Sequence, residues 1–219
     1  IDAVSGRIRN STSVLQNGEI IAKYDKQLLA SYDVFDEKRH FESGESSCTF
    51  DCDGHTIGIS ICEDFWGGFD ASAAPRYDSN PLDELISSGC SLIIASSASP
   101  FVTGKREIHV QYATEFALKN GVTVAMCNQI GGNDDLVFDG GSFVVSPDGM
   151  LGELPLFETG SISIDLNGPS CEATLLSEHE ERFKALVLGT KDYVEKSGHT
   201  QAILGISGGI DSAIVATIA

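Results

Sequence analysis

With 219 residues, 42% of them apolar, the chain is long enough to bury one large core or two small ones. Thirty-two acidic residues against fourteen basic give a net charge of -18, which disfavours nucleic acid and anionic membranes as partners outside local patches. No apolar run reaches membrane-spanning length, and six cysteines without a CxxC pair or a disulfide-framework spacing fit a reducing cytoplasm.

In chain order, Asn17-Gly18 between two β-rich runs predicts a type I′ hairpin over 12–25. Asp53-Gly54 then joins CTFDC to HTIGISI, in which Ile57, Ile59 and Ile61 alternate with smaller residues until the strand ends at Cys62. Cys48 and Cys52 read as strand residues, because no histidine or further cysteine stands at metal-ligand spacing. The five histidines are scattered and read as surface or supporting residues. A helix follows with Asn80 as N-cap, Pro81 at its first position, Asp83 and Glu84 in its first turn and Gly89 after its end, and then a buried strand over Ser91–Ala95. The next helix, over 106–119, is expected to turn Ile108, Tyr112, Ala113 and Phe116 to one face, with Asn120-Gly121 as its stop and VTVAMC as the strand beyond. LVFDGGSFVVSPDG continues a β-rich half.

Periodicity lapses over 166–177. Ser177 and Glu180 then form a capping box for a helix expected to point Phe183, Leu186, Val187 and Val194 inward and to stop at Gly198. The apolar run Ala202–Ile206 predicts a buried strand leading into the turn SGGIDS and another helix. Alternating strands and helices with long hairpins predict a layered α/β fold. The divisions are a first domain over 1–168, a linker over 169–176 and the start of a second domain over 177–219. A start without methionine and an end inside a helical pattern lead to the expectation of a piece cut from a longer chain.

Three places carry chemistry. In SGGIDS, Gly208 and Gly209 let backbone N–H groups approach an anion at a helix N-terminus, with Ser207, Asp211 and Ser212 beside them. The turn lacks the spacing and the lysine of a Walker A loop, so a leaving pyrophosphate suits it better than a transferred γ-phosphate. Cys62 sits where a strand gives way to a turn, a position that exposes a side chain over the end of a sheet. Lys26 precedes an apolar and aromatic run that should anchor it, and Ser99 follows another strand end.

These segments resemble known families. SGGIDS resembles the PP-loop of the ATP pyrophosphatases, which cleave ATP to AMP and pyrophosphate while activating an acceptor oxygen as an adenylate. GISICEDFW resembles the nucleophile segment of the nitrilase superfamily, and KQLLASYDVFDEKRHF the lysine segment of its glutaminase members. ASPFVTGKRE and CNQIGGNDDLVFDGGSFV, in order, resemble the glutaminase domain of the glutamine-dependent NAD+ synthetases. The resemblance implies an incomplete nitrilase-like α-β-β-α sandwich followed by the start of a Rossmann-like PP-loop domain. It implies ATP-dependent amidation of deamido-NAD+ with ammonia from L-glutamine, by a carbon–nitrogen ligase that forms homo-oligomers.

By the same resemblance Cys62 is the nucleophile. Lys26, with the backbone N–H after Cys62, stabilises the oxyanion, and Glu37 orients the lysine and the substrate. Tyr32, Glu63, Ser99 and Lys105 contact glutamine. Ser207, Gly208, Gly209, Asp211 and Ser212 hold ATP, which carries Mg2+, with no prosthetic group and with metal and deamido-NAD+ ligands mostly beyond Ala219. Two departures stand out. Ala30 occupies a family proline position, which is expected to loosen the turn without removing the amine. The general-base glutamate is missing, since the acids before Lys26 are only Asp2, Glu19 and Asp25, and it is expected upstream of Ile1. Two other readings stay open: an amidohydrolase of another small amide with a degenerate C-terminal appendage, and a piece without activity of its own.

Overall fold

In the computed structural model, which describes residues 8–67, 77 and 79–219, both turn dipeptides close the hairpins expected of them. Asn17 (φ 53°) and Gly18 (φ 85°) join β1 (Ser11–Gln16) to β2 (Glu19–Asp25). After the single-turn helix α1 (Glu37–His40), Asp53 (φ 50°) and Gly54 (φ 83°) join β3 (Cys48–Cys52) to β4 (His55–Ile61). Positive φ at both central residues gives the turn the twist of its flanking strands. Asp2, considered above as an acid, lies outside the described residues.

From β4 the chain passes through α2 (Glu63–Trp66) and α3 (Pro81–Ser87) to β5 (Leu92–Ser97), then through α4 (Lys105–Asn120) to β6 (Thr123–Asn128). Caps fix these boundaries: the Asn80 side chain accepts the N–H of Leu82, and Gly121 closes α4 in the left-handed region at φ 66°. β5 runs two residues beyond the expected Ala95, which carries Ser96 and Ser97 to the end of the sheet. β4, β5 and β6 are parallel, with Ile57 opposite Leu92 and Leu92 opposite Thr123. A separate hairpin, β7 (Ile130–Asn133) and β8 (Leu136–Asp139), precedes β9 (Phe143–Ser146) and β10 (Gly149–Glu153). The last two complete a six-stranded sheet in the order β10-β9-β6-β5-β4-β3.

Alternation along the strands divides the packing between two faces. Ile93, Ala95, Val124, Met126 and Val145 bury one face against Leu82 and Leu85 of α3 and Ala113 and Ala117 of α4. On the other face, Ile59 and Ile61 meet Tyr24 of β2 and Val14 of β1, so the first hairpin lies across the sheet from the helices.

Three expectations about packing are corrected. Ile108 is 46% exposed, and the buried line of α4 is Arg106, Ala113 and Ala117. In helix α5 (Glu178–Lys196) the capping box forms as expected, with the Ser177 side chain and Glu180 bonding reciprocally, yet Phe183 and Leu186 are exposed and the buried residues are Glu181 and Ala185. The cause is close approach: a Cβ placed on Gly189 would lie 3.0 Å from the Val137 side chain, so α5 turns its small residues to the β7–β8 hairpin. Finally, Ala202–Ile206 forms no strand and is exposed, because among the described residues no strand lies beside it to satisfy its backbone. Helix α6 (Ile210–Ile218) forms after it.

Ile93 is fully buried between the sheet and both helices. Ile93→Ala is expected to destabilise the fold by about 2–5 kcal/mol, read as a lower denaturation midpoint in urea with an unchanged slope.

Candidate active site

The parallel strands β4, β5 and β6 all end on one side of the sheet, where open α/β folds characteristically place ligands. Cys62 follows β4 directly, with φ 44° and ψ −103°, a conformation that L residues seldom adopt and that costs about 1–3 kcal/mol. Its N–H donates to Ser96 O at 2.7 Å, which extends the ladder by one bond and over-determines the strained turn. Ser97 Oγ donates to Cys62 Sγ at 3.5 Å.

Lys26 follows β2 and is 3% exposed. Backbone bonds from its N–H to Asn10 O (2.8 Å) and from Gly44 N–H to its carbonyl (2.7 Å) hold it in place. A buried ammonium needs a counter-charge, and Glu37 supplies it: Nζ donates to Oε2 at 2.5 Å. Glu37 also accepts from the Asn10 side chain (3.3 Å) and from the Ala30 N–H (2.8 Å). Ala30, expected to loosen this turn, instead ties it to the carboxylate, with an N–H that a proline would lack.

Glu63 is buried and accepts the hydroxyls of Tyr32 (2.7 Å) and Tyr77 (3.0 Å). Burial and the adjoining Glu63 carboxylate raise both phenols well above the usual tyrosine range. Ser99 is held by Asn128 at the end of β6, whose side chain accepts the Ser99 N–H at 2.9 Å and donates to Asp139 at 3.0 Å. Lys105 opens α4 and donates to Pro100 O, and burial lowers its pKa. One turn on, His109 stacks on Trp66 with ring centroids 3.9 Å apart. Burial first, and the Lys105 charge second, push its imidazole down to about 3, so it is neutral near pH 7.

Lys26, Glu37 and Cys62 line a single cavity of about 600 Å³ together with Tyr32, Glu63, Ser99 and Lys105. All seven residues named from the sequence for the first domain thus share one space. The phosphate-turn residues lie apart from it. There Ser207 Oγ and Ser212 Oγ are 3.1 Å apart, the Ser207 N–H donates to Ser212 Oγ at 3.2 Å, and Gly208 takes φ 86° ahead of α6. Of the cysteines, Cys127 and Cys171 are exposed, Cys90 is buried, and Cys48, Cys52 and Cys62 lie between.

Residues 3–174 match the carbon-nitrogen hydrolase family. The chain belongs to that family. Residues 182–219 match the NAD synthase family. A glutamine-dependent NAD(+) synthetase of Synechocystis sp. is 41% identical to it over 97% of this chain and 40% of the relative. The structure of a glutamine-dependent NAD+ synthetase from Acinetobacter baumannii in complex with ADP is 33% identical, with a TM-score of 0.88 over the whole of this chain and 41% of that one. An amidase from Nesterenkonia sp. AN1, in which the acetamide moiety of fluoroacetamide is attached to the active-site cysteine, is 28% identical with a TM-score of 0.52 over 64% of this chain and 48% of its own. The chain therefore spans about 40% of the length of the synthetases it matches, and its fold is a nitrilase-like mixed sheet followed by the first helices of a NAD synthase domain.

Sequence reasoning missed four groups in this site. His109 stands four residues after Lys105, a helical spacing that could have placed both on one wall. Asn128, Tyr77 and Asp64 gave no local signal. Asp64 is fully buried and accepts the N–H groups of Gln27 (3.1 Å) and Leu28 (2.6 Å) and the hydroxyl of Tyr24 (2.8 Å), which fastens the lysine segment to the Cys62 turn.

Burial raises the Asp64 carboxyl to about 6, against the pull of those donors and of Lys26. Its pKa is thus higher folded than unfolded, so the stabilisation from its proton is complete below about pH 4 and is lost as the pH rises through about 6. Thermal melts at a series of pH values are expected to show wild type losing stability over this window relative to Asp64→Asn, whose amide oxygen can still accept both N–H groups.

Proposed function

We propose that this chain is the glutamine-hydrolysing domain and the opening of the synthetase domain of a glutamine-dependent NAD+ synthetase, with the division over residues 169–176. The observation that carries the reading is the convergence of Cys62, Lys26, Glu37, Tyr32, Glu63, Ser99 and Lys105 on one cavity. In this reading the Cys62 thiolate attacks the side-chain carboxamide carbon of L-glutamine. The negative charge that develops on the oxygen is met by the Lys26 ammonium and the backbone N–H following Cys62. Collapse of the tetrahedral intermediate breaks the C–N bond and, with one proton delivered to nitrogen, releases ammonia. Water then cleaves the thioester to glutamate and restores the thiol. Glu37 keeps Lys26 aimed, and Tyr32, Glu63, Ser99 and Lys105 bind the amino acid.

The general base of this scheme is a glutamate preceding Ile1 in the longer polypeptide. In support, Cys62 Sγ bonds only to Ser97 among the described residues, while of the three carboxylates that line the cavity Glu37 and Glu63 are engaged by Lys26 and by two tyrosines and Asp33 is exposed. Ammonia then amidates deamido-NAD+ activated by ATP with Mg2+, giving NAD+, AMP and pyrophosphate. Gly208 has nothing within 4 Å of the space a Cβ would take, which leaves room for an anion to reach the backbone. Ser207, Gly208, Gly209, Asp211 and Ser212 would hold the pyrophosphate of ATP there, beside the N-terminus of α6. The same reading makes the enzyme a cytoplasmic homo-oligomer.

The test is NAD+ formation by the full-length protein from ATP and deamido-NAD+, with either glutamine or ammonium as nitrogen source. Cys62→Ala is expected to abolish glutamine-driven synthesis and to keep the ammonium-driven reaction. Synthesis from neither source by wild type would reject the reading in favour of an amidohydrolase of another small amide, the activity class of the Nesterenkonia relative. Lys26→Met is expected to reduce glutamine hydrolysis by about 100-fold or more, the scale of losing one oxyanion donor, measured as glutamate release.

A further inference from the structure

Helix α5 lies in the part of the chain that leads to the phosphate turn, yet four of its side chains reach back to the first domain. Near its start, Glu181 Oε2 accepts the N–H of Gly104 at 3.2 Å, and Arg182 Nε donates to Thr103 Oγ1 at 3.3 Å. Near its end, Asp192 accepts the Gly132 N–H at 2.8 Å, and Lys196 Nζ donates to Gly132 O at 2.6 Å. Between these points Ala185 and Leu188 join Leu156, Phe157, Val137 and Phe101 in one apolar cluster.

The segment gripped at the start of α5 is the one that delivers Lys105 to the cavity. Phe101 N–H donates to Val137 O at 2.6 Å, Lys105 N–H donates to Val102 O at 3.0 Å, and Lys105 Nζ returns to Pro100 O. Gly104, immediately before Lys105, takes φ 76° and so can place its N–H toward α5 without strain. Glu181 is only 6% exposed, which an unpaired surface carboxylate has no reason to be. Burying it is worthwhile only if the bond to the Gly104 N–H is made.

We propose that α5 clamps the wall of the cavity, and that Glu181, through Gly104, is a positioning residue for Lys105 and so for glutamine binding. The proposal rests on the reading of that cavity as the glutamine site. Glu181 touches no substrate. Its carboxylate sets where α4 begins, and therefore where the Lys105 side chain starts.

The experiment is steady-state kinetics of the full-length protein with glutamine and, separately, with ammonium, on wild type, Glu181→Ala, Glu181→Gln and Arg182→Leu. Glu181→Ala is expected to raise the glutamine KM about fivefold or more, the factor carried by one net hydrogen bond, while the ammonium-driven rate stays within about twofold of wild type. Glu181→Gln keeps an oxygen that can accept from Gly104 and is expected to recover most of the loss. Arg182→Leu, at an exposed position, is expected to raise the KM in the same direction by about twofold. It also carries the test if Glu181→Ala does not fold. An unchanged glutamine KM in both Glu181→Ala and Arg182→Leu overturns the proposal, as does a Glu181→Gln enzyme as impaired as Glu181→Ala. If wild type itself consumes no glutamine, the reading of the cavity fails first and the clamp falls with it.

Discussion

Asp64 joins two parts of the chain that the sequence separates by 36 residues, and the rest of the site depends on that junction. Its carboxylate is out of water, where an ion lacking partners would be prohibitively unstable, and it meets this constraint by accepting two backbone N–H groups and a phenol. All three donors belong to the stretch from Tyr24 to Leu28, in whose middle Lys26 stands. Two residues on the other side of Asp64 is Cys62. One buried carboxylate therefore fixes the ammonium and the thiol relative to each other, and the first hairpin is held on the sheet by the same bonds.

The surrounding charge distribution runs against the composition. A chain with a net charge of -18 gathers two largely buried lysines, Lys26 and Lys105, around one cavity. Lys26 is balanced by Glu37 at contact distance, whereas Lys105 bonds to a backbone carbonyl and has Asp139 as its leading electrostatic partner. Desolvation works against the Lys105 cation, and local acceptors hold both lysines in place. Such a setting is preorganised for negative charge inside the cavity, since no dipole has to turn when the charge appears.

How much of this could be read from the sequence follows from the range of each interaction. Asn17-Gly18, Asp53-Gly54, Asn80-Pro81 and the Ser177/Glu180 box act within four residues, and each formed where it was read. The seven cavity residues were found through whole motifs, because the strand ends that unite them lie far apart in sequence. Asn128 beside Ser99 and Asp64 beside Leu28 have no spacing that announces them. The inward faces of α4 and α5 were misread for a related reason: apolar periodicity marks where large side chains recur, but α5 is seated by Ala185 and Gly189, whose smallness permits the contact. Ala202–Ile206 has the composition of a strand and no neighbouring strand among the described residues, and composition alone does not satisfy a backbone.

The exposures of the cysteines bear on how reagents will see this protein. Cys127 and Cys171 stand in solvent while Cys62 is half-covered at the bottom of its turn. A general thiol reagent therefore counts surface groups before it reports on the cavity, and its stoichiometry says little about the site. A reagent shaped to the cavity has a different order of preference, because the cavity can collect it before it reacts. Selectivity between the two kinds of reagent is thus a property of access and shape more than of the sulfur, and replacing the two exposed cysteines would leave Cys62 to be distinguished only from Cys48 and Cys52, which are half-covered like it.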